Sequence, residues 1–187
     1  KSFELAYDYI VNYEEKSAEK GHKTEEAINA IDDELTRYLI VLSGQQLNPK
    51  ESEVLTSILD SSRDLERIGD HSEALLNLTD YLHRKKVEFS PAALEELENI
   101  YHLTLDFIKE ALNSVETNNV DLANSLEAKH AEIDKLERSL RKTHIARLNK
   151  GECTPQAGVN FIDIISHYTR VADHAMNLAE KVQMEQI

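Results

Sequence analysis

Apolar residues recur along this chain at steps of three and four positions, which is the spacing of one face of an α-helix. Short polar stretches interrupt the pattern five times, so it predicts six helices. Asn48 before Pro49 is a typical helix start, and we expect Gly21 to end the first helix. Thr24 and Asp121 are the expected caps of the second and fifth helices. The predicted ranges are about 1–20, 25–43, 49–84, 91–116, 122–149 and 155 onwards.

The six predicted helices form two similar sets of three. In the second and fifth helices the matching residues are 101 positions apart, as for Leu35 and Leu136. This duplication predicts an all-α fold of six antiparallel helices, in which residues 1–88 and 89–187 form two tandem three-helix bundles. The third and sixth helices match at an offset of 103, where Ile58 pairs with Phe161, Arg67 with Arg170, Ile68 with Val171, His71 with His174 and Leu75 with Leu178.

The first helix departs from this symmetry. The fourth helix has about 26 residues before its turn, whereas the first has about 20 before Gly21. We therefore expect the natural first helix to begin several residues before Lys1, in a longer chain from which this one was cut.

The composition limits the class of partner. With 35 acidic against 21 basic residues, the net charge of −14 argues against nucleic acid and against an anionic lipid surface. The single cysteine, Cys153, excludes an internal disulfide and suits a reducing compartment. The apolar runs, such as 39–42, are too short to span a bilayer.

Glu66 and Asp70 lie four residues apart, so both carboxylates lie on one flank of the third helix. Stacked carboxylates repel each other unless a cation lies between them or water screens them. Asn29 and Asp33 have the same spacing on the second helix, so the four side chains, here called the first cluster, can converge. Oxygen donors of this kind suit Mg²⁺, Mn²⁺, iron or Zn²⁺.

The second repeat carries a related set, here called the second cluster. His130 and Asp134 lie four residues apart on the fifth helix, and Thr169 and Asp173 do so on the sixth. The set combines an imidazole with two carboxylates and lacks the thiolates of a structural zinc site. Because Thr169 stands where an acid is expected, we predict weaker metal binding here than in the first cluster.

Simpler interpretations of these residues are also open. Glu66 and Asp70 are also explained by a solvated helix face that Arg63 and Arg67 neutralise. His71 and His174 lie about 100° round the helix from the aspartates that precede them, so we expect them to pack between helices and not to bind metal.

The residues offer little for catalysis. Glu127 and His130 form an E-x-x-H pair, but the sequence has no second pair of this kind, which disfavours a di-iron bundle. No serine, histidine and aspartate set and no glycine-rich phosphate loop is apparent, so we predict that the chain is not an enzyme.

The run from Asp64 to His71, D-L-E-R-I-G-D-H, with its copy Y-T-R-V-A-D-H at 168–174, resembles the signature helix of PhoU proteins, regulators of bacterial phosphate uptake. From His144, the run H-I-A-R-L-N-K-G-E-C-T-P-Q-A-G, followed by F-I-D-I-I-S, is similar to the C-terminal PhoU-like domain of bacterial sodium/phosphate cotransporters. The resemblance covers both repeats and implies two three-helix bundles, with metal held by acidic pairs on adjacent helices. It places the metal ligands at Asp33, Glu66, Asp70, His130, Asp134 and Asp173.

The resemblance also implies a function. It predicts a regulatory domain at the cytoplasmic face of the cell membrane that acts in phosphate uptake by contact with the transmembrane domain of a cotransporter. A free-standing PhoU-type regulator is the main alternative, and a metal-dependent enzyme and a structural homodimer module are the others. Because so acidic a surface repels phosphate, we expect phosphate to bind only through a metal ion.

Overall fold

The computed structural model describes residues 1–184, and this part of the chain contains helices and no strand. The all-α prediction is therefore confirmed. None of the helices in residues 1–184 has an apolar stretch long enough to cross a bilayer. The helices are α1 (Ser2–Asn12), α2 (Glu15–Ser43), α3 (Pro49–Lys85), α4 (Pro91–Thr117), α5 (Val120–Asn149) and α6 (Pro155–Gln183).

Side-chain caps fix most of the helix starts. The Asn48 side chain accepts a hydrogen bond from the Glu51 N–H at 3.0 Å, and the Glu51 carboxylate accepts one from the Asn48 N–H at 2.8 Å. This reciprocal pair satisfies two amide groups that a helix start leaves without partners. The cap of α5 is Asn119, whose Oδ1 accepts from the Leu122 N–H at 3.0 Å, and not the predicted Asp121. Asp121 lies in the first turn, where its charge suits the helix dipole.

The boundary between α1 and α2 lies nearer the N-terminus than predicted. The chain turns at Tyr13, which has a left-handed backbone (φ 48°), and α2 continues through Gly21 and Thr24. Gly21 is buried against α3, where a Cβ would come within 2.5 Å of Leu76 Cδ1. The glycine therefore allows α2 to pack closely on α3 and does not end a helix. The Thr24 hydroxyl donates to the Lys20 carbonyl oxygen at 2.7 Å, as hydroxyls inside a helix do.

Each set of three helices packs into a bundle, and the two bundles meet mainly through α3 and α6. The best-buried aromatic side chains lie on α4 and α6, where Phe107, Phe161 and Tyr168 have no more than 1% of their surface exposed. Aromatic side chains remove large apolar areas from water when they are buried. Because α6 packs against α3, α4 and α5, it is the central helix of the structure.

Polar side chains fill part of the contact between α3 and α6. Asp64 of α3 accepts hydrogen bonds from His174 Nδ1 at 2.9 Å and from Asn177 Nδ2 at 2.8 Å, and Lys181 Nζ lies 3.4 Å from its second oxygen. A buried carboxylate is costly unless its oxygens are satisfied in this way. Since all three donors belong to α6, this one carboxylate links the two repeats.

His71 and His167 form a second polar pair in the same contact. Asp64 corresponds to His167 in the duplication, and His71 corresponds to His174, so the two hydrogen-bonded pairs are related by the repeat. The Nδ1 atoms of His71 and His167 are 3.1 Å apart, which requires one to donate and the other to accept. Burial, and then the neighbouring His167 and His174, lower the pKa of His71 to about 4. The prediction that His71 and His174 pack between helices is confirmed.

The first repeat leaves several apolar side chains exposed. Val54, Ile58 and Leu65 follow the helical apolar spacing on α3, but all three are exposed. Ile31 and Tyr38 follow the same spacing on α2 and are exposed as well. The cause is the length of α1, because its 11 residues cover only part of the α2–α3 pair, whereas α4 has 27 residues.

Acidification is expected to weaken the contact between α3 and α6 through His71. Its pKa in the folded chain lies below the ordinary value of about 6.5, so the unfolded chain binds the proton first. The neutral form contributes its full stability above pH 6.5, and this is lost as the pH falls towards 4. Between pH 7.5 and 5.0, the free energy of unfolding should fall on the order of 1–2 kcal/mol more in the unsubstituted chain than in His71→Gln, as measured by urea denaturation.

The matched control for this experiment is His102→Gln. His102 is exposed on α4, so this variant should keep the full pH dependence of the unsubstituted chain. The same pH dependence in His71→Gln and His102→Gln would show that His71 does not stabilise the contact.

Candidate metal centre

His130, Asp134 and Asp173 form a compact group between α5 and α6. The four-residue spacing places His130 and Asp134 on one face of α5, and Asp173 approaches from α6. The Nε2 atom of His130 lies 3.0 Å from Asp173 Oδ1. One ligand atom from each half-buried residue lies within 4.8 Å of the other two. Within residues 1–184, no other set of histidine, cysteine or acidic side chains meets this condition.

The charges in this group attract one another. The hydrogen bond to Asp173 raises the pKa of His130 against the effect of burial, and the charge of Asp134 adds to the increase. Burial alone would raise the pKa of Asp173, but the hydrogen bond and charge of His130, together with Arg170, lower it overall. When His130 is protonated, its charge therefore lies beside both carboxylates. When the imidazole is neutral, a metal cation can take over that role.

Thr169, the fourth member of the second cluster, takes no part in the group. Its hydroxyl donates to the Ile165 carbonyl oxygen at 3.0 Å, back along α6. Glu127 and Glu180 instead line an open groove of about 330 Å³ beside the three-residue group. Two further carboxylates therefore lie next to the candidate ligands, and one of them belongs to the E-x-x-H pair.

The first cluster is only partly assembled. The Arg67 guanidinium lies 3.6 Å from the Glu66 carboxylate and 3.0 Å from that of Asp70, as the solvated-face interpretation requires. Burial, and then repulsion from Asp70, raise the pKa of Glu66. Asp33 is exposed and belongs to no compact group of three ligands in the described part of the chain. The structure therefore does not bring Asp33 together with Glu66 and Asp70 as predicted.

Two other acidic side chains of α2 approach α3. Asp32 accepts a hydrogen bond from the Ser62 hydroxyl at 2.6 Å, and Glu25 is buried and accepts one from the Asn29 amide. Burial, and then the charge of Glu73, raise the pKa of Glu25. Glu25 is not among the ligands predicted from the sequence, although it stands four residues before Asn29 and so shares the helical spacing of those ligands.

Asn29 has a side-chain oxygen without a partner. Its Oδ1 is buried and accepts no hydrogen bond from any described residue. A buried polar atom left in this state costs about 1–3 kcal/mol. A cation near this oxygen would remove that cost and would also relieve the repulsion that raises the pKa of Glu25 and Glu66. These oxygens suit a hard cation such as Mg²⁺ or Mn²⁺.

The second cluster is thus better assembled than the first, although the sequence predicts weaker metal binding there. Its imidazole draws the carboxylate of Asp173 towards it without any metal, whereas the like charges of Glu66 and Asp70 repel. One imidazole and two carboxylates suit Zn²⁺, Mn²⁺ or iron. Because a metal displaces the proton on the His130 nitrogen that binds it, binding at this group should weaken as the pH falls.

Removal of two ligands should weaken metal binding at the second cluster. For the double variant Asp134→Ala and Asp173→Ala, we expect the affinity for Zn²⁺ or Mn²⁺ to fall by more than about tenfold, because the cation keeps only His130 of the three-residue group. Calorimetric titration of metal-free protein measures this change. Glu132→Ala is the control, since Glu132 is an exposed carboxylate on the same helix. Equal affinities in the double variant and the control would rule out this site.

The raised pKa of Glu66 predicts a gain in stability when its charge is removed. A raised carboxyl pKa means that the ionised form opposes folding, and this penalty disappears as the pH falls through the folded pKa. Glu66→Gln should therefore increase the free energy of unfolding by up to about 1 kcal/mol at pH 7.5 without metal, and much less at pH 4. Urea denaturation measures the difference.

Glu53→Gln, an exposed position on the same helix, serves as the control for Glu66→Gln and should leave stability unchanged. Added Mn²⁺ should stabilise the unsubstituted chain more than Glu66→Gln. A loss of stability in Glu66→Gln at pH 7.5 would show that the carboxylate is favourably solvated and not repelled.

Known proteins are similar to this chain in sequence and in fold. The family model for the PhoU domain matches residues 1–79 and 97–182. The phosphate-specific transport system accessory protein PhoU homolog 1 of Thermotoga maritima is 29% identical over 186 residues, which cover 97% of this chain and 78% of that protein. The accessory protein PhoU homolog of Streptococcus pneumoniae is 27% identical over 163 residues, which cover 87% of this chain and 73% of that protein.

Two crystal structures have the same arrangement of helices. PhoU from Pseudomonas aeruginosa superposes with a TM-score of 0.87 at 21% identity, over 97% of this chain and 86% of that one. The phosphate transport system regulatory protein PhoU from Streptococcus pneumoniae gives a TM-score of 0.78 at 24% identity, over 97% and 84%. Because the family model matches most of each repeat, the chain belongs to the PhoU domain family.

Proposed function

We propose that this chain is an accessory regulator of phosphate transport that acts by contact with a transport protein. The observation that carries the proposal is the match of the PhoU domain across both repeats. Two relatives with names that describe accessory proteins of phosphate-specific transport systems support it. These relatives favour a separate accessory protein over a domain attached to a sodium-dependent cotransporter. The attached domain stays a prediction from the run that begins at His144.

The regulator is proposed to respond to phosphate through a bound metal ion. The net charge of −14 disfavours direct binding of an anion. A cation held by His130, Asp134 and Asp173 would lie beside an open groove, where a phosphate oxygen can reach it from solvent. The partner would be the transmembrane part of the transporter, and contact with it would hold the regulator at the cytoplasmic face of the membrane.

Deletion of the gene tests this proposal. The difference in phosphate uptake between phosphate-starved and phosphate-replete cells, measured with radioactive phosphate, should shrink on deletion and return when the chain is supplied from a plasmid. The double variant Asp134→Ala and Asp173→Ala should fail to restore it, whereas the control Glu132→Ala should succeed. An unchanged difference after deletion would contradict a regulatory role in phosphate uptake.

The gene upstream of Lys1 separates the two forms of this regulator. Several hydrophobic spans encoded there would support the cotransporter domain, and a start codon within a few residues would support the separate accessory protein. Either result leaves the deletion experiment unaffected.

A further inference from the structure

His71 of α3 and His167 of α6, here called the histidine pair, approach each other across the contact between the two repeats. Their Nδ1 atoms are 3.1 Å apart, and their ring centres are 5.3 Å apart. A nitrogen that accepts a hydrogen bond carries a lone pair, so at least one of the two nitrogens is unprotonated. Both side chains are half-buried, so each keeps some contact with solvent while α3 and α6 hold the rings in place.

The separation of the two nitrogens suits a shared metal ion. Two nitrogens bound to one tetrahedral Zn²⁺ lie about 3.3 Å apart, since each Zn–N bond is about 2.0 Å long. The two rings would therefore have to separate by only about 0.2 Å and to release the one proton between them. The packing of α3 on α6 thus fixes the positions of two ligand atoms before any metal binds.

The duplication shows what this half of the contact lacks. The counterpart of the histidine pair is the pair of Asp64 and His174, where the carboxylate of Asp64 also faces the Lys181 ammonium. The position on α3 that is equivalent to Lys181 is Leu78, which carries no charge. One half of the contact therefore contains opposite charges, whereas the other half contains two imidazoles that a cation could bridge.

A third ligand lies near the histidine pair. Asp163 stands four residues before His167 and so shares its face of α6. Burial lowers the pKa of His167, and the charge of Asp163 opposes this change, so the carboxylate lies close to the ring. Because Asp163 is exposed, its side chain can rotate towards a bound ion. Two imidazoles and one carboxylate form a donor set that suits Zn²⁺.

The spacing of residues along the chain does not show this group. From the sequence, His71 is expected to pack between helices without binding metal, because it lies off the carboxylate flank of α3. The ring that faces it, His167, belongs to the other repeat, and only the packing of α3 on α6 brings the two together. The group also shares no residue with the candidate centre between α5 and α6.

We propose that His71, His167 and Asp163 form a Zn²⁺ site that links the two repeats. One ligand lies on α3 and two lie on α6, so the bound ion would join the repeats and stabilise the folded chain. The inference goes beyond the proposed function, because it concerns how the repeats are held together and applies whether or not the chain regulates phosphate uptake.

Calorimetric titration with Zn²⁺ tests this site in a protein whose centre between α5 and α6 is disabled. The whole chain with Asp134→Ala and Asp173→Ala is used for this purpose and is called here the background protein. Addition of His167→Gln should lower its affinity for Zn²⁺ by at least about tenfold, because the amide can still hydrogen-bond to His71 but is a poor ligand for Zn²⁺. The control is His102→Gln, which removes an exposed histidine on α4 and should leave the affinity unchanged.

Thermal unfolding provides a second readout. At a Zn²⁺ concentration about one hundred times the dissociation constant, the unfolding midpoint of the background protein should rise by more than about 4 °C. At the same concentration, the rise in the background protein with His71→Gln should be less than half as large, because one of the two imidazole ligands is lost.

Two results would overturn the inference. Equal affinities for Zn²⁺ after His167→Gln and His102→Gln would show that the histidines form a hydrogen-bonded pair only. Crystals of the background protein grown with Zn²⁺ should show an anomalous peak within bonding distance of both Nδ1 atoms, and the absence of a peak there would contradict the site as well.

Discussion

The packing of α3 against α6 determines which side chains of these two helices remain available to face α2 and α5. Asp64 accepts hydrogen bonds from two donors on α6 and faces the Lys181 ammonium, so one flank of α3 is held against the other repeat. Consecutive residues of a helix lie about 100° apart. His71 therefore packs in this contact while Asp70, one position earlier, lies on the flank nearer α2. The same division occurs on α6, where His174 faces α3 and Asp173 faces α5.

The two candidate metal clusters differ because one of them contains an imidazole beside its carboxylates. In the second repeat, the imidazole of His130 hydrogen-bonds to Asp173 and keeps that carboxylate ionised. In the first repeat, the equivalent of His130 is Asn29, which carries no charge. The carboxylates there repel, the pKa of Glu66 rises, and Arg67 screens the surface. A bound cation would bring the first repeat closer to the arrangement that the second already has.

The sequence predicts the number, order and type of the helices well, because caps followed by proline and an apolar period of three to four residues are local signals. The prediction that Gly21 ends a helix is wrong, because glycine both ends helices and permits close packing. Only the approach of Leu76 distinguishes these two roles. The sequence also predicts that Asp33 faces α3, whereas Asp32 is the residue that contacts it. The rotation of α2 about its axis is set by packing, which the spacing of residues does not show. The exposed core positions Ile58 and Leu65 could not be foreseen from periodicity, which does not show whether a third helix lies above them.

A metal ion between α5 and α6 would be held by His130, Asp134 and Asp173. Anomalous X-ray diffraction from crystals of the protein grown with Mn²⁺ locates such an ion. We expect an anomalous peak within bonding distance of these three side chains. Crystals saturated with Mn²⁺ that show no peak between α5 and α6 would rule out this metal centre.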